Sequence, residues 1–259
     1  MRSKIEKIAI SLSVVGCMAT SLSAVEIGTI LDAINIAGKQ RMFTQRMLKD
    51  YAMVGMGNTF GNPKADLLKT SSDFDDHLAS LAAFTKDDAT KKVLEGVKVL
   101  WIPLKKMLSE APTKEKVGGL QRDLDVLMKA SDDAVKLLSA SSGKKSGEII
   151  DISGRQRMLS QRMASLYMLK VWEVNDPEFK TKLDDSMKLF KDSLAKLEAS
   201  SLNTDEIKAH LTQAKRSFMF LEMMNKSKSK FIPTLVYKKS NEILDNMNSA
   251  THKYAATQK

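Results

Sequence analysis

The stretch Ile34-Asn-Ile-Ala-Gly-Lys-Gln-Arg-Met-Phe-Thr-Gln-Arg-Met47 occurs twice in the chain. It returns as Ile150-Asp-Ile-Ser-Gly-Arg-Gln-Arg-Met-Leu-Ser-Gln-Arg-Met163, a constant 116 residues later, with nine of the fourteen positions identical. The two halves of the chain are therefore copies of one unit. A repeated core would need only repeated hydrophobicity, whereas this motif also repeats its glutamine and arginine residues, which indicates repeated recognition.

Composition and spacing predict an all-α fold. The 259 residues are 43% hydrophobic but only 6% aromatic, with 12 glycines and 5 prolines, and strand signals are lacking. Apolar residues recur at helical spacing in eight segments, which are residues 28–57, 64–84, 88–110, 114–140, about 148–174, 178–200, 204–226 and 231–254. We expect Pro103 to kink or divide the third helix.

Short turn-forming stretches join these helices, so the sequence predicts two tandem antiparallel four-helix bundles. The first bundle takes residues 25–140 and the second takes residues 148–259. Residues 141–147 are small and polar, which predicts a flexible linker between the two domains. The internal repeat further suggests that a pseudo-twofold axis relates the bundles.

The N-terminus has the pattern of an export signal. Residues 1–23 combine three basic residues with an apolar stretch and a small-residue cleavage zone, which predicts a periplasmic protein. The single cysteine, Cys17, lies in this segment, and the residues before it also fit a lipoprotein cleavage box. Lipid anchoring through Cys17 is therefore the alternative to simple cleavage. No later stretch has the roughly 18 to 20 apolar residues that a transmembrane helix needs.

The motif places an arginine, a glutamine and a glycine on one helix face, one turn apart. A guanidinium group can hold a planar oxyanion such as nitrate, nitrite or a carboxylate through two parallel hydrogen bonds. The glycine leaves room for a small ligand or for another backbone. The candidate ligand-binding residues are Gly38, Arg41, Thr44 and Gln45, with Gly154, Arg157, Ser160 and Gln161 in the second copy. Arg46 and Arg162 lie off this face and are secondary candidates.

A structural role for the motif is the alternative. Arg41 could form an ion pair with an acidic residue of a neighbouring helix, such as Asp73, Asp75 or Asp76. The motif would then be a helix-packing interface, and the protein would be a non-catalytic interaction or scaffold module. Both interpretations remain open at the level of the sequence.

The strings Gly38…Arg41-Met42 and Gly154…Arg157-Met158 resemble the P-box helix of periplasmic sensor domains. These are the input domains of nitrate/nitrite sensor histidine kinases and the related PilJ-type N-terminal domains of type IV pilus chemotaxis transducers. The resemblance implies four-helix bundles in which Arg41 and Arg157 match the arginine that binds nitrate at a dimer interface. It predicts a pseudo-dimer with both arginines around one shared anion. Since no transmembrane pair or kinase segment is evident, a membrane sensor or chemotaxis transducer would read the bound state.

Other functions find less support in the sequence. His77, His210 and His252 are far apart and lack metal-ligand spacing, so we expect no metal and no cofactor. Nucleophile elbows and phosphate-binding loops are lacking, which argues against an enzyme. The net charge of +10 is compatible with peripheral association at an anionic membrane surface, whereas few aromatic residues and the export signal argue against nucleic acid.

Overall fold

The computed structural model of the protein describes residues 25–143, 145–226 and 232–256, and the predicted signal segment with Cys17 lies outside them. Within this part of the chain the structure has eight α-helices and no strand, which confirms the predicted all-α class. The helices are α1 (Ile30–Gly55), α2 (Pro63–Phe84), α3 (Asp88–Ser109), α4 (Lys114–Ser142), α5 (Lys145–Val171), α6 (Glu178–Glu198), α7 (Asp205–Lys226) and α8 (Pro233–Ala256).

The helices pack as two antiparallel rings of four. Helix α1 packs against α2 and α4, and α3 closes the first ring between them, while α5, α6, α7 and α8 repeat the arrangement. The side-chain amide of Gln40 reaches the carbonyl of Phe74, and Arg46, further along α1, pairs with Asp66, nearer the start of α2. The two helices therefore run in opposite directions. Their apolar stripes face inward, as in other helix bundles.

Helices α1 and α5 form the most extensive helix–helix contact and join the two rings. They run in the same direction, since Gly38 lies beside Gly154 and Gly55, near the end of α1, lies beside Trp172, just past the end of α5. Buried apolar side chains from both rings make one continuous core. The two copies of the motif therefore meet face to face along this contact.

The connection between the two rings is shorter than the sequence predicts. Residues 141–147 were expected to form a flexible linker, but α4 continues to Ser142 and α5 begins at Lys145. Gly143 ends α4 with φ 61°, a left-handed conformation that glycine adopts without strain. Residues 141 and 142 lie in α4 and residues 145–147 in α5, so their small polar composition did not indicate how far the two helices extend.

The structure answers two further expectations. Helix α3 is continuous through Pro103 and is not divided there. The carbonyl of Val99 loses its usual helical donor, but Val99 is 62% exposed, so water can reach this part of the helix. None of the helices within the described residues combines the length and hydrophobicity needed to cross a membrane.

Candidate functional site

The two glycines of the motif lie against each other where α1 meets α5. A Cβ atom built on Gly38 would be 4.0 Å from the Cα atom of Gly154 and 3.0 Å from Nη2 of Arg157. A Cβ atom on Gly154 would be 3.1 Å from the same nitrogen and 3.3 Å from Nη2 of Arg41. The space that a side chain would fill thus holds the tips of both arginines. The structure brings Arg41 and Arg157 together at this point.

Two carboxylates surround the guanidinium group of Arg41. Its Nη1 atom lies 2.5 Å from Oδ1 of Asp132 on α4 and 2.7 Å from Oδ1 of Asp151 on α5. Its Nη2 atom also donates to the backbone carbonyl of Asp151 at 3.3 Å. Arg41 is only 1% exposed, and its positive charge is matched by acids inside the protein.

Arg157 is equally buried, but its hydrogen-bond partners within the described residues are all neutral. Its Nη1 atom donates to Oδ1 of Asn35 at 2.8 Å and to Oδ1 of Asn248 at 3.2 Å, and Nη2 donates to the carbonyl of Asn35 at 3.1 Å. Burial and the charge of Arg41 lower the pKa of Arg157 to about 9. The group is still protonated at neutral pH, so a buried cation lies here that no carboxylate of the described part of the chain contacts.

The partners of the two arginines occupy equivalent positions. Asn35 and Asp151 are 116 residues apart, as are Asp132 and Asn248, so each site combines one residue from each ring. This reciprocal pattern is that of a twofold interface. The chemistry is not symmetric, because the two carboxylates both face Arg41 and the two amides both face Arg157. The sequence motif contains Asn35 and Asp151, but Asp132 and Asn248 lie outside it.

Further cations share the two carboxylates. Nη2 of Arg155 lies 3.3 Å from Asp151, and Nζ of Lys136 lies 2.8 Å from Asp132. Burial opposes ionisation of Asp132, but Arg41 and Lys136 outweigh it and hold the pKa of this carboxyl below its usual value. Both acids are therefore committed to cations that they already contact, and the cluster keeps an excess of positive charge.

Each of the two arginines also has an unpaired donor. The Nε atoms of Arg41 and Arg157 are buried and have no hydrogen-bond partner among the residues that the structure describes. A buried polar group without a partner is costly and calls for an explanation. An anion between the helices is one ligand that could accept from such donors.

The neighbouring polar residues of the motif have partners of their own. Thr44 and Ser160 donate to the carbonyls of Arg41 and Arg157, both at 2.8 Å. The side-chain amides contact other groups: that of Gln45 reaches Thr44, Asp125 and Met128, and that of Gln161 reaches Ser160 and the carbonyl of Ser240. The expectation that these four residues add donors beside the guanidinium groups finds no support in these hydrogen bonds.

The secondary candidates are structural ion pairs. Arg46 contacts Asp66 through Nε at 2.9 Å and Nη2 at 2.5 Å. Arg162 reaches from α5 to Asp125 on α4, at 2.6 and 3.2 Å. Both guanidinium groups are occupied by a carboxylate in bidentate geometry. They hold neighbouring helices together and are not available to an external anion.

The alternative interpretation predicted correctly that Arg41 pairs with acidic residues, but it placed these residues on α2. Asp73 pairs with Lys69, and Asp75 accepts from Trp101 and pairs with Lys105. The acids that contact Arg41 come from α4 and α5 instead. Local spacing could not identify them, because helix-to-helix register depends on packing across the whole ring.

Comparison with known proteins gives one match. The family model described as "Type IV pili methyl-accepting chemotaxis transducer N-term" (PilJ) matches residues 32–127 and 138–218, more than half of the chain. The two matched segments cover parts of both rings and both copies of the motif. The comparisons with curated proteins and with solved structures gave no match.

Proposed function

The chain belongs to the PilJ family of N-terminal domains of type IV pili chemotaxis transducers, and from this premise we propose that it is a sensory module that binds a small anion between α1 and α5. The observation that carries the proposal is Arg157, which is 1% exposed and, among residues 25–143, 145–226 and 232–256, contacts only neutral partners. A buried charge without a counterion is strongly unfavourable, and an external anion would remove that penalty.

The geometry favours a small planar oxyanion. A guanidinium group presents its donors in one plane, which suits nitrate, nitrite or a small carboxylate. The tips of Arg41 and Arg157 already lie in the gap between Gly38 and Gly154, so a ligand that joins them there must be compact. Nitrate and nitrite are the candidates that the resemblance to the nitrate sensors implies.

Signalling would start at the contact between the two rings. An anion bound between α1 and α5 would change the free energy of packing one ring against the other. A membrane sensor or chemotaxis transducer would then read this change. We place the protein in the periplasm, with lipid anchoring through Cys17 as the alternative, because residues 1–23 have the pattern of an export signal.

Thermal unfolding in sodium nitrate or nitrite, against sodium chloride at equal ionic strength, tests the proposal. Specific binding at about 100 times Kd stabilises a protein by about 2.7 kcal/mol. We expect this stabilisation in the natural protein and its loss in Arg157→Gln. Arg46→Gln is the matched control, since it removes an arginine of the same motif that already pairs with Asp66. If no small oxyanion stabilises the natural protein more than chloride does, the proposal is wrong.

The scaffold interpretation is the second candidate, and Arg41 favours it. Asp132 and Asp151 already satisfy this arginine, as they would in a packing interface. Calorimetric titration separates the two candidates. A scaffold gives no heat with any oxyanion in either the natural protein or Arg157→Gln, whereas a sensor binds about one anion per chain.

A further inference from the structure

The guanidinium groups of Arg41 and Arg157 have neighbours at equivalent positions of the two halves, but these neighbours differ in charge. Positions 35 and 248 around Arg157 hold asparagine, whereas the equivalent positions 151 and 132 around Arg41 hold aspartate. All four distances are within hydrogen-bonding range, at 2.8 and 3.2 Å on the Arg157 side and 2.7 and 2.5 Å on the Arg41 side. A carboxylate and a side-chain amide have nearly the same shape. The difference is therefore one of charge and of hydrogen-bonding character.

The two aspartates beside Arg41 limit how much negative charge a ligand between the two rings can carry. Asp132 and Asp151 already place two negative charges beside Arg41. At this contact, the described residues offer an incoming anion one guanidinium group without a carboxylate, that of Arg157. Arg155 and Lys136 offset part of the charge of the two aspartates. A second negative charge on the ligand would nevertheless find no second guanidinium group free of a carboxylate at this contact, and the nearby aspartates would disfavour it.

We propose that Asp132 and Asp151 act as resident anions on Arg41, and that they restrict the site to one monoanion, held at Arg157 beside Asn35 and Asn248. The inference rests on the proposed function, because it concerns the ligand of that same site. In this proposal, Asn35 and Asn248 determine that the site selects a monoanion.

The amide side chains suit this role for two reasons. They accept hydrogen bonds from Arg157 without neutralising it. After rotation by half a turn, their NH2 groups can donate to the oxygens of a bound anion, which a carboxylate cannot do. Both residues are half-buried, so they lie at the boundary between the guanidinium group and solvent. The free donor of Arg157, its Nε atom, adds a further contact for the anion.

Exchange of the amides and the acids tests the inference. We expect Asn35→Asp/Asn248→Asp to weaken nitrate or nitrite binding on the order of 100-fold, since two carboxylates would then occupy Arg157. The reverse change, Asp132→Asn/Asp151→Asn, should allow the protein to bind sulfate, which the natural protein should reject. Asn241→Asp is the matched control, because it makes the same chemical change on α8 beside Lys49 and should leave nitrate affinity unchanged.

Calorimetry and thermal unfolding of the four proteins separate the outcomes. Natural protein that binds nitrate, with loss in the first double variant and gain of sulfate in the second, supports the inference. If the natural protein binds nitrate and Asn35→Asp/Asn248→Asp binds it equally well, the inference is wrong and the proposed function stands. If the natural protein binds no anion, both fall together. The first double variant should also unfold at a higher temperature than the natural protein in anion-free buffer, which shows that it folds.

Discussion

Helices α1 and α5 share one motif and one packing geometry, but the charges around them differ. Arg41 is surrounded by carboxylates, whereas Arg157 is surrounded by amides. The same contrast extends along the helices: buried Lys49, Asp50 and His77 in the first half correspond to buried Ser165, Leu166 and Ser193 in the second. Duplication kept the packing of the helices and left the buried charges free to change. Each half therefore serves as a natural reference for the other.

The buried pair Lys49 and Asp50 gives the largest expected effect. Both residues are 0% exposed, and Nζ of Lys49 lies 3.8 Å from Oδ1 of Asp50 and 2.7 Å from Oδ1 of Asn241. Burial lowers the pKa of Lys49 and raises that of Asp50. We expect Asp50→Leu, which introduces the residue of the second half, to destabilise the protein by about 3–5 kcal/mol. Lys49 would lose the nearest carboxyl group and would have to keep its charge, or give up its proton, in a fully buried site.

The double variant Lys49→Ser/Asp50→Leu completes the exchange. Replacing a whole buried ion pair is often neutral or stabilising, so this variant should recover most of the loss. Urea unfolding at neutral pH measures both changes. A double variant as unstable as Asp50→Leu would show that the pair is required for the packing of α1, and that the second half is a poor reference at this position.

The second prediction concerns the ends of the two motif helices. Gly55 at the end of α1 corresponds to Val171 in α5, and the ring of Trp172 packs against Gly55. A Cβ atom on Gly55 would lie 2.3 Å from this ring. We expect Gly55→Val to destabilise the protein by about 3 kcal/mol, since the buried indole would have to move.

Gly96 provides the control for this change. It lies inside α3, and a Cβ atom built there would meet nothing within 4 Å. Gly96→Ala should therefore stabilise the protein by roughly 0.5–1 kcal/mol through helix propensity. Thermal unfolding of both variants measures the difference. Equal effects would mean that Trp172 moves freely and that α1 and α5 tolerate the same residue at this position.

The third prediction, of smaller effect, is a dependence of stability on pH that His77 should contribute. The second half has Ser193 at the equivalent position and lacks this contribution. Burial and the nearby Lys39 lower the pKa of His77 to about 4, against an opposing effect of Asp73. The unfolded chain then binds this proton more readily than the folded one. The stabilisation is complete above about pH 6.5 and is lost as the pH falls towards 4, so about 2 kcal/mol should be lost at pH 5.

His77→Ser, which introduces the residue of the second half, isolates this effect. Other groups titrate in the same range, so the useful quantity is the difference in free energy of unfolding between the natural protein and the variant. This difference should shrink by about 2 kcal/mol between pH 7.5 and 5. If the free energies of unfolding of the two proteins change equally with pH, folding does not lower the pKa of His77.

The helices could be predicted from the sequence because their signals are local. Apolar spacing identifies helix positions within a few residues. The meeting of Arg41 and Arg157 at α1 and α5 was expected from the resemblance to a dimeric family, and spacing alone did not indicate it.

The partners of the two arginines could not be predicted in the same way. Asp132 and Asn248 lie on α4 and α8, far from the motif along the chain. Which turn of one helix faces which turn of another depends on the packing of all four helices in a ring. The 116-residue offset, applied beyond the motif, would have shown that an acid in one half corresponds to an amide in the other. It would not have shown that both contact arginine.

The short connection at Gly143 has an evolutionary consequence. In a sensor assembled from two identical subunits, any substitution appears on both sides of the shared contact, and an Asn35 opposite an Asp151 cannot arise. One polypeptide that carries both copies is free of this constraint. The tether also fixes the effective concentration of one copy relative to the other, so the contact does not depend on how much protein the cell makes. A symmetric dimer can therefore evolve into a single chain with an asymmetric site, and this site forms even when the protein is scarce.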